Sequence, residues 1–274
     1  MTGLLKADFK RVLKDKLIIV IGIIALVFAI STPLLYVAIF SSTGVEDLPM
    51  LSTLISGKAQ FFGAFSISNN LGLIAPVLLS IALCKDFSFG TVRNKIIAGK
   101  SRSAIFLSLF ITCATILTVI ILIYAFVTLG ISLFFFDYQP TRFTLADFWY
   151  FLESLAFEIL VLIWVAALIS YLCACMKNMG LVIVFYIATS FILVIAGSIS
   201  QVALPIMKEF GADKISVDIV HFIDRINVGN FTAYIGTGTQ YSLEDVLYIT
   251  IPTIIGILGF IGLGLLRFNK RDLK

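Results

Sequence analysis

Six apolar runs, each long enough to cross a membrane, constrain the fold of this chain more than any other feature. They cover residues 17–40, 61–84, 104–129, 149–175, 180–199 and 246–266. A helix needs about 20 apolar residues to span a bilayer, and its backbone satisfies its own hydrogen bonds there. The sequence therefore predicts an all-α polytopic membrane protein, with six transmembrane helices in one domain over residues 1–274.

Composition supports a membrane environment. Hydrophobic residues make up 60% of the chain and charged residues 13%, which is about half the charged share of an average soluble domain. The six runs and the loops between them occupy the 274-residue length, so no separate soluble domain is expected. We expect the lipid membrane to be the chain's main solvent.

Residues 1–16 precede the first apolar run and are too charged for a signal peptide. At helical spacing one arc is apolar and the other is charged, which predicts an interfacial helix lying on the membrane surface. This helix is either a basic anchor that sets orientation or a contact with a partner subunit. The apolar arc holds Leu5, Phe9, Val12 and Leu13; the charged arc holds Lys6, Asp8, Lys10, Arg11, Lys14 and Asp15.

The basic segment from Lys85 to Ser103 joins the second and third apolar runs. Thr91 is a suitable N-cap, and Gly99 can adopt the left-handed conformation that ends a helix, so a short helix is expected over residues 91–98. Ser101 offers a second N-cap, which places the next helix start at Arg102 or Ser103. The sequence thus predicts a short cytoplasmic helix between two spans, a suitable shape for coupling a soluble motor to the membrane bundle.

Three clusters in this segment form a motif: Asp86-Phe87, then Gly90-Thr91-Val92-Arg93-Asn94, then Gly99-Lys100-Ser101-Arg102. The motif resembles that of ABC-2 type permeases, the membrane subunits of a class of ATP-binding cassette transporters. The resemblance implies two partner ATPase subunits that carry ATP and Mg²⁺, and either a second copy of this permease or a sister permease. It also implies that the ATPase contacts Phe89, Thr91, Val92, Arg93, Asn94 and Ile97.

The resemblance further implies export across a bacterial plasma membrane. Short members of that family export amphipathic or antimicrobial peptides, toxic compounds and occasionally ions. An ATPase-independent channel or a membrane-embedded enzyme is the alternative. A channel requires pore-lining polar residues in several spans, and an embedded hydrolase requires clustered histidines or acids at the membrane surface.

Three polar residues within the apolar runs are candidates for a substrate path. Asn69 and Asn70 lie in the second run and Glu158 lies in the fourth. Polar groups at that depth face protein or water, because lipid offers them no partner. Both interpretations, helix-to-helix contact and lining of a path, remain open for all three residues.

The ends of the later helices carry local signals. Thr144 with Asp147, and Ser242 with Asp245, have capping-box spacing, so helices are expected from Leu145 to Cys175 and over the last span. Residues 201–245 are predicted to be an extracellular segment that contains an amphipathic helix near residues 215–226. The glycines at 256, 259 and 262 predict close helix packing in the last span.

Basic residues predict the orientation. If both termini are cytoplasmic, the inner loops hold 15 of the 20 lysines and arginines, as the positive-inside rule requires. The outer five are Lys58, Arg142, Lys208, Lys214 and Arg225. The net charge of +4 then reflects orientation, and no nucleic-acid partner is expected.

No catalytic or metal-binding pattern emerges from the sequence, and no cofactor is expected on this chain. Residues 94–101 end in Gly-Lys-Ser, but Asn94 occupies the place of the first glycine of a phosphate-binding loop and no strand precedes it. The four cysteines, at positions 84, 113, 173 and 175, lie in or at the inner ends of spans and have no nearby histidine, since His221 is the single histidine of the chain.

Overall fold

The computed structural model describes residues 2–43, 56–67, 70–88, 90–176, 178–211, 213–238 and 240–270. A 3-10 turn, Val228–Ala233, lies between the last two helices, and no β-strand occurs among the described residues. In chain order the helices are α1 (Thr2–Leu13), α2 (Lys16–Thr43), α3 (Gly57–Gly63), α4 (Asn70–Ser88), α5 (Thr91–Ile97), α6 (Arg102–Ser132), α7 (Leu145–Cys175), α8 (Met179–Glu209), α9 (Lys214–Ile226) and α10 (Leu243–Lys270).

Five of the described helices are long and apolar enough to cross a membrane: α2, α6, α7, α8 and α10. Their outer faces expose many large apolar side chains, which is the arrangement expected of helices that contact lipid. The prediction of an all-α, membrane-embedded protein is confirmed. The described residues contain five unbroken spans, one fewer than the six that the sequence predicts.

The predicted second span, residues 61–84, is not one helix. α3 ends at Gly63, residues 64–67 turn, and α4 starts at Asn70. The backbone of Ser66 lies directly against Gly72 of α4, where a Cβ atom would be 1.9 Å from the Ser66 carbonyl oxygen. α4 continues into α5 at a bend of 47°, so the sixth crossing exists only if this bent pair counts as one span.

α7 is the central helix of the bundle and packs against α4, α6, α8 and α10. In its most apolar stretch 61% of the residues are buried, whereas the corresponding value for α8 is 17%. Small residues let neighbouring helices approach α7 and α6. A Cβ at Gly256 would lie 2.1 Å from Nε1 of Trp164 on α7, and one at Gly264 would lie 2.4 Å from Cζ of Phe106 on α6.

Two of the three glycines in the predicted stripe of the last span make no close helix contact. A Cβ atom added at Gly259 or at Gly262 would meet no described atom within 4 Å. The close packing predicted for three glycines therefore occurs at Gly256, and Gly264 provides the second close approach.

The fifth span also differs from the prediction, which ended it at residue 199. α8 continues to Glu209, with Pro205 inside the helix. The first residues of the predicted extracellular segment 201–245 therefore belong to α8. α9 follows as predicted, and the 3-10 turn then packs against α8. A Cβ atom at Gly229 would lie 2.7 Å from Leu193, which requires glycine at this contact.

Local capping signals are confirmed. Thr144 and Asp147 form the predicted capping box: the Thr144 N–H donates to Asp147 Oδ2 over 2.8 Å, and the Asp147 N–H donates to Thr144 Oγ1 over 3.4 Å. α7 runs from Leu145 to Cys175. The Asp245 backbone N–H donates to Ser242 Oγ over 3.1 Å, and the Ala104 N–H donates to Ser101 Oγ over 3.3 Å. These interactions satisfy backbone donors that have no partner inside the helix.

α1 is a helix, as predicted, but its buried face is not the predicted arc. Leu4, Asp8 and Val12 are buried, whereas Leu13 is exposed. Asp8, which the helical spacing placed among the charged residues facing away from the apolar arc, is only 1% exposed. Its carboxylate is paired with Lys95 and accepts a hydrogen bond from Ser108.

Candidate functional site

The bend between α4 and α6 carries the short helix that the sequence predicts there. α5 covers residues 91–97 and is bounded by two glycines with left-handed backbone, Gly90 (φ 70°) and Gly99 (φ 76°). Side chains other than glycine rarely adopt such angles, so both glycines of the motif have a conformational role. Gly90, not Thr91, occupies the N-cap position, and Gly99 closes the helix as the sequence predicts.

The residues predicted to contact a partner divide into exposed and buried sets. Arg93 and Asn94 are exposed, and the Ile97 side chain is 73% exposed. Val92 is 1% exposed and packs into the core, where it holds α5 on the bundle. Thr91 is half-buried. Phe89 lies outside the described residues. We name the exposed set, Arg93, Asn94 and Ile97, the α5 ridge.

A buried ionic network lies beneath the α5 ridge. Lys95 Nζ lies 2.5 Å from Asp8 Oδ1 on α1 and 3.5 Å from Asp86 Oδ2 on α4. Arg11 on α1 also forms an ion pair with Asp86, which is fully buried. Ser108 on α6 donates to Asp8 Oδ2 over 2.6 Å. These five residues connect α1, α4, α5 and α6, and they explain why Asp8 is buried.

A separate ion pair links the residue before α2 to the end of α4. Lys85 Nζ lies 2.9 and 2.7 Å from the two carboxylate oxygens of Asp15. Burial alone would raise the pKa of Asp15, but the hydrogen bonds from Lys85 and the Leu17 N–H, with the nearby positive charges, lower it below its ordinary value. The carboxylate is therefore held ionised beside Lys85.

The far side of the bend is attached to the C-terminal end of α10. Arg102 donates to the Asn269 carbonyl oxygen over 2.9 Å, and Asn269 donates to Ser103 Oγ over 3.4 Å. A cation is well placed there, because the last carbonyl groups of a helix have no partner inside it. α1, α5 and the last turn of α10 thus share one end of the bundle, which we name the basic end.

Of the three candidates for a substrate path, only Glu158 has a described side chain. Asn69 lies outside the described residues, and Asn70 is described by its backbone alone, as the first residue of α4. Glu158 lies about 20 Å along α7, a helix about 46 Å long at 1.5 Å per residue. It is therefore close to the middle of the span.

Glu158 is 1% exposed, and its Oε1 atom has no hydrogen-bond partner among the described residues. A buried polar atom without a partner costs about 1–3 kcal/mol. The sequence suggested either a partner within the bundle or a place on a path. The structure supplies no partner for Oε1 and places the side chain in the interior of the bundle.

A polar cluster at the other end of the bundle was not predicted. Asp224 on α9 is 1% exposed and accepts hydrogen bonds from Ser200 on α8, from Asn230 Nδ2 (2.6 Å) and from Tyr234. Asn227 Nδ2 donates to the Leu193 carbonyl oxygen over 2.7 Å. The cluster secures α9 and the 3-10 turn on α8. The sequence offers little sign of it, since Asp224 is one of several charged residues on an amphipathic helix.

Among the described residues, no group of three or more His, Cys, Asp or Glu side chains is arranged to hold a metal ion. The carboxylates of the basic end face Lys and Arg side chains instead.

No protein-family model matches the chain, and no curated protein matches it. The resemblance to ABC-2 type permeases therefore depends on the motif in the bend alone.

Proposed function

We propose that this chain is the permease subunit of an ATP-binding cassette exporter of the ABC-2 type. It moves an amphipathic cargo, such as a peptide, an antimicrobial or another toxic compound, out of a bacterial cell. The energy comes from two separate ATPase subunits that bind ATP and Mg²⁺. The permease pairs with a second copy or a sister subunit, and both termini lie in the cytoplasm. The bent pair of α4 and α5 supplies the sixth crossing, with α4 as the part that lies in the membrane.

The observation that carries this proposal is the exposed α5 ridge together with the ionic network that holds α5 on α1 and α4. Several residues of the motif have a structural role: Gly90 and Gly99 set the ends of α5, Ser101 caps α6, and Arg102 binds the end of α10. Asp86 anchors the bend through Arg11 and Lys95. Arg93 and Asn94 lack a comparable contact among the described residues and are exposed, which suits a docking surface.

A force applied to the α5 ridge would be transmitted to several helices at once. Lys95 connects α5 to Asp8 of α1 and to Asp86 of α4, and Asp8 is bonded to Ser108 of α6. Such contiguous contacts between packed helices are a suitable route for mechanical coupling. In this proposal α1 is part of the coupling unit as well as an interfacial anchor.

The test is purification of the tagged chain from its own cells in mild detergent, with mass spectrometry and an ATP-hydrolysis assay on the product. We expect an ABC-type ATPase to copurify, and Arg93→Glu with Ile97→Glu to remove it while the permease still elutes as one folded species. The matched control is Arg142→Glu, an exposed arginine in the α6–α7 connection. Absence of the ATPase from the wild-type preparation, or its retention by the double variant, contradicts the proposal.

The role of Glu158 is tested separately, by transport. Glu158→Gln keeps the size of the side chain and removes its charge, and Glu153→Gln makes the same change at an exposed position of α7. If Glu158 lies on the path, cells that depend on the exporter lose resistance to the cargo with Glu158→Gln and keep it with Glu153→Gln. Full resistance in both variants, with normal assembly, assigns Glu158 to packing.

A further inference from the structure

A cavity of about 500 Å³ lies between α7 and α10 at the basic end. Its α10 wall consists of Leu263, Leu266, Arg267 and Lys270. Tyr171 contributes from α7, and Met176 contributes from the position that follows α7. Leu263 lies three and four positions before Leu266 and Arg267, which in turn lie four and three positions before Lys270, so the four α10 residues form one continuous stripe along the helix. The stripe is apolar in its first half and cationic in its second.

This stripe is turned away from the packed face of α10. Gly264 contacts Phe106, and Phe268 is fully buried, whereas Leu263 and Leu266 are more than half exposed. The ring of Tyr171 stacks on Phe260 with centroids 5.7 Å apart, which separates the cavity from the deeper contact between the two helices. The cavity therefore opens on the side of the bundle that faces its surroundings.

The two cations at the cavity are available for a ligand. Neither Arg267 nor Lys270 forms an ion pair with any carboxylate in the described ranges, in contrast to Arg11, Lys85 and Lys95. Both lie in the last turn of α10, where a cation interacts favourably with the helix dipole. That effect explains the charges alone; it does not explain a cavity with an apolar wall leading up to them.

The order of the groups along the stripe matches one class of molecule. An arginine fork and a lysine ammonium bind the oxygens of a phosphate. The leucines one and two turns deeper provide a surface for an acyl chain within the membrane. Basic pockets between transmembrane helices, at the level of the lipid headgroups, bind anionic lipids in this manner. A soluble phosphate compound would leave the apolar wall unused.

We propose that this cavity binds an anionic phospholipid, with the headgroup phosphate at Arg267 and Lys270 and an acyl chain along Leu263 and Leu266. The site lies at the basic end, where Arg102 binds the last turn of α10. A lipid bound there would hold the end of α10 next to the bend that carries the α5 ridge. The proposal does not depend on transport activity.

The experiment titrates the purified full-length chain with phosphatidylglycerol and with phosphatidylcholine of the same acyl chains, and measures bound lipid by native mass spectrometry. We expect tighter binding of phosphatidylglycerol. Each basic side chain near an anionic lipid strengthens binding about fivefold, so Arg267→Gln with Lys270→Gln should weaken phosphatidylglycerol binding about 30-fold and leave phosphatidylcholine unchanged. Glycerol phosphate, the headgroup without chains, should compete poorly.

The matched control is Lys208→Gln with Lys214→Gln. It removes the same charge from two exposed lysines, one of which lies in the last turn of α8. A photoreactive phosphatidylglycerol on the unaltered chain gives a second measurement that no folding defect can disturb, and its label should fall on the walls formed by residues 171–176 and 263–270. The proposal is overturned if the two lipids bind equally, if the Arg267 and Lys270 variant keeps full binding, or if the control loses as much binding as that variant. It is also overturned if glycerol phosphate competes strongly or if the label falls elsewhere.

Discussion

Lys95 on α5 lies 2.5 Å from Asp8 on α1, and both side chains are largely withdrawn from solvent. The contact joins two segments that are 87 positions apart in the chain. It connects α1 directly to the short helix that we propose as the ATPase contact. The stability of the basic end should therefore depend on this pair.

Asp8→Asn should destabilise the protein by about 3–5 kcal/mol, because removing one partner from a buried ion pair leaves the other charge uncompensated. The measurement is thermal or denaturant unfolding in detergent. Asp218→Asn, which alters an exposed carboxylate on α9, should change stability by less than about 0.5 kcal/mol.

The pair can be isolated with a double variant. Asp8→Asn with Lys95→Met should cost less than the sum of the two single changes, because the second change removes the charge that the first leaves unpaired. Strictly additive losses would mean that Asp8 is stabilised mainly by Ser108 and not by Lys95.

The ion pair of Asp15 and Lys85 predicts a pH dependence of stability. The pKa of Asp15 is lower in the folded protein than the value of about 3.9 expected in an unfolded chain. Its contribution is therefore complete above about pH 4 and is lost as the pH falls through the lower, folded value. The stability difference between the wild type and Asp15→Asn should shrink below about pH 4.

Lys85→Gln is the control for that measurement, because it removes the main group that lowers the Asp15 pKa. In this background, Asp15→Asn should produce a smaller change in the pH profile. An unaltered profile difference in the presence of Lys85→Gln would show that the ion pair is not its source.

Close packing of α10 on α7 predicts a size limit at Gly256. Gly256→Ala should cost about 1–3 kcal/mol, since the new methyl group would overlap the Trp164 ring and force it to move. Gly259→Ala, three residues further on, has no described atom within 4 Å and should stabilise the helix by about 0.5–1 kcal/mol. Both values come from unfolding midpoints, and equal effects at the two positions would contradict the helix contact.

Cys84 on α4 and Cys173 on α7 form a buried pair with sulfur atoms 3.2 Å apart. A mild oxidant should join them, because a disulfide needs the two sulfurs to approach to about 2.0 Å, a small movement. Mass-spectrometric thiol labelling should then show that the wild type loses two of its four thiol groups.

Two serine variants make this result specific. Cys84→Ser should prevent the loss, whereas Cys113→Ser should leave it unchanged, although Cys113 is equally buried. Oxidation of the pair would also fix α4 to α7 at the basic end. Retention of all thiols in the wild type would show that the two helices hold the sulfurs apart.

The ends of several helices could be predicted from the sequence because their causes are local. Thr144 with Asp147 places the start of α7, Ser101 places the start of α6, and Gly99 ends α5. Each signal depends on a side chain and a backbone group within a few positions. Length and apolar composition likewise predicted the membrane-spanning character, because the bilayer imposes them on every span.

The sequence alone therefore determined that this chain is a helical membrane protein and where several of its helices begin and end. Only the tertiary structure decided that Asp8 is buried, that the segment around Ser66 folds back on Gly72, and that Asp224 lies within a polar cluster. In each case the partner comes from a different helix or from beyond a turn. Helical periodicity describes which residues share a face, but the energy of burying a polar group depends on which distant groups meet it there.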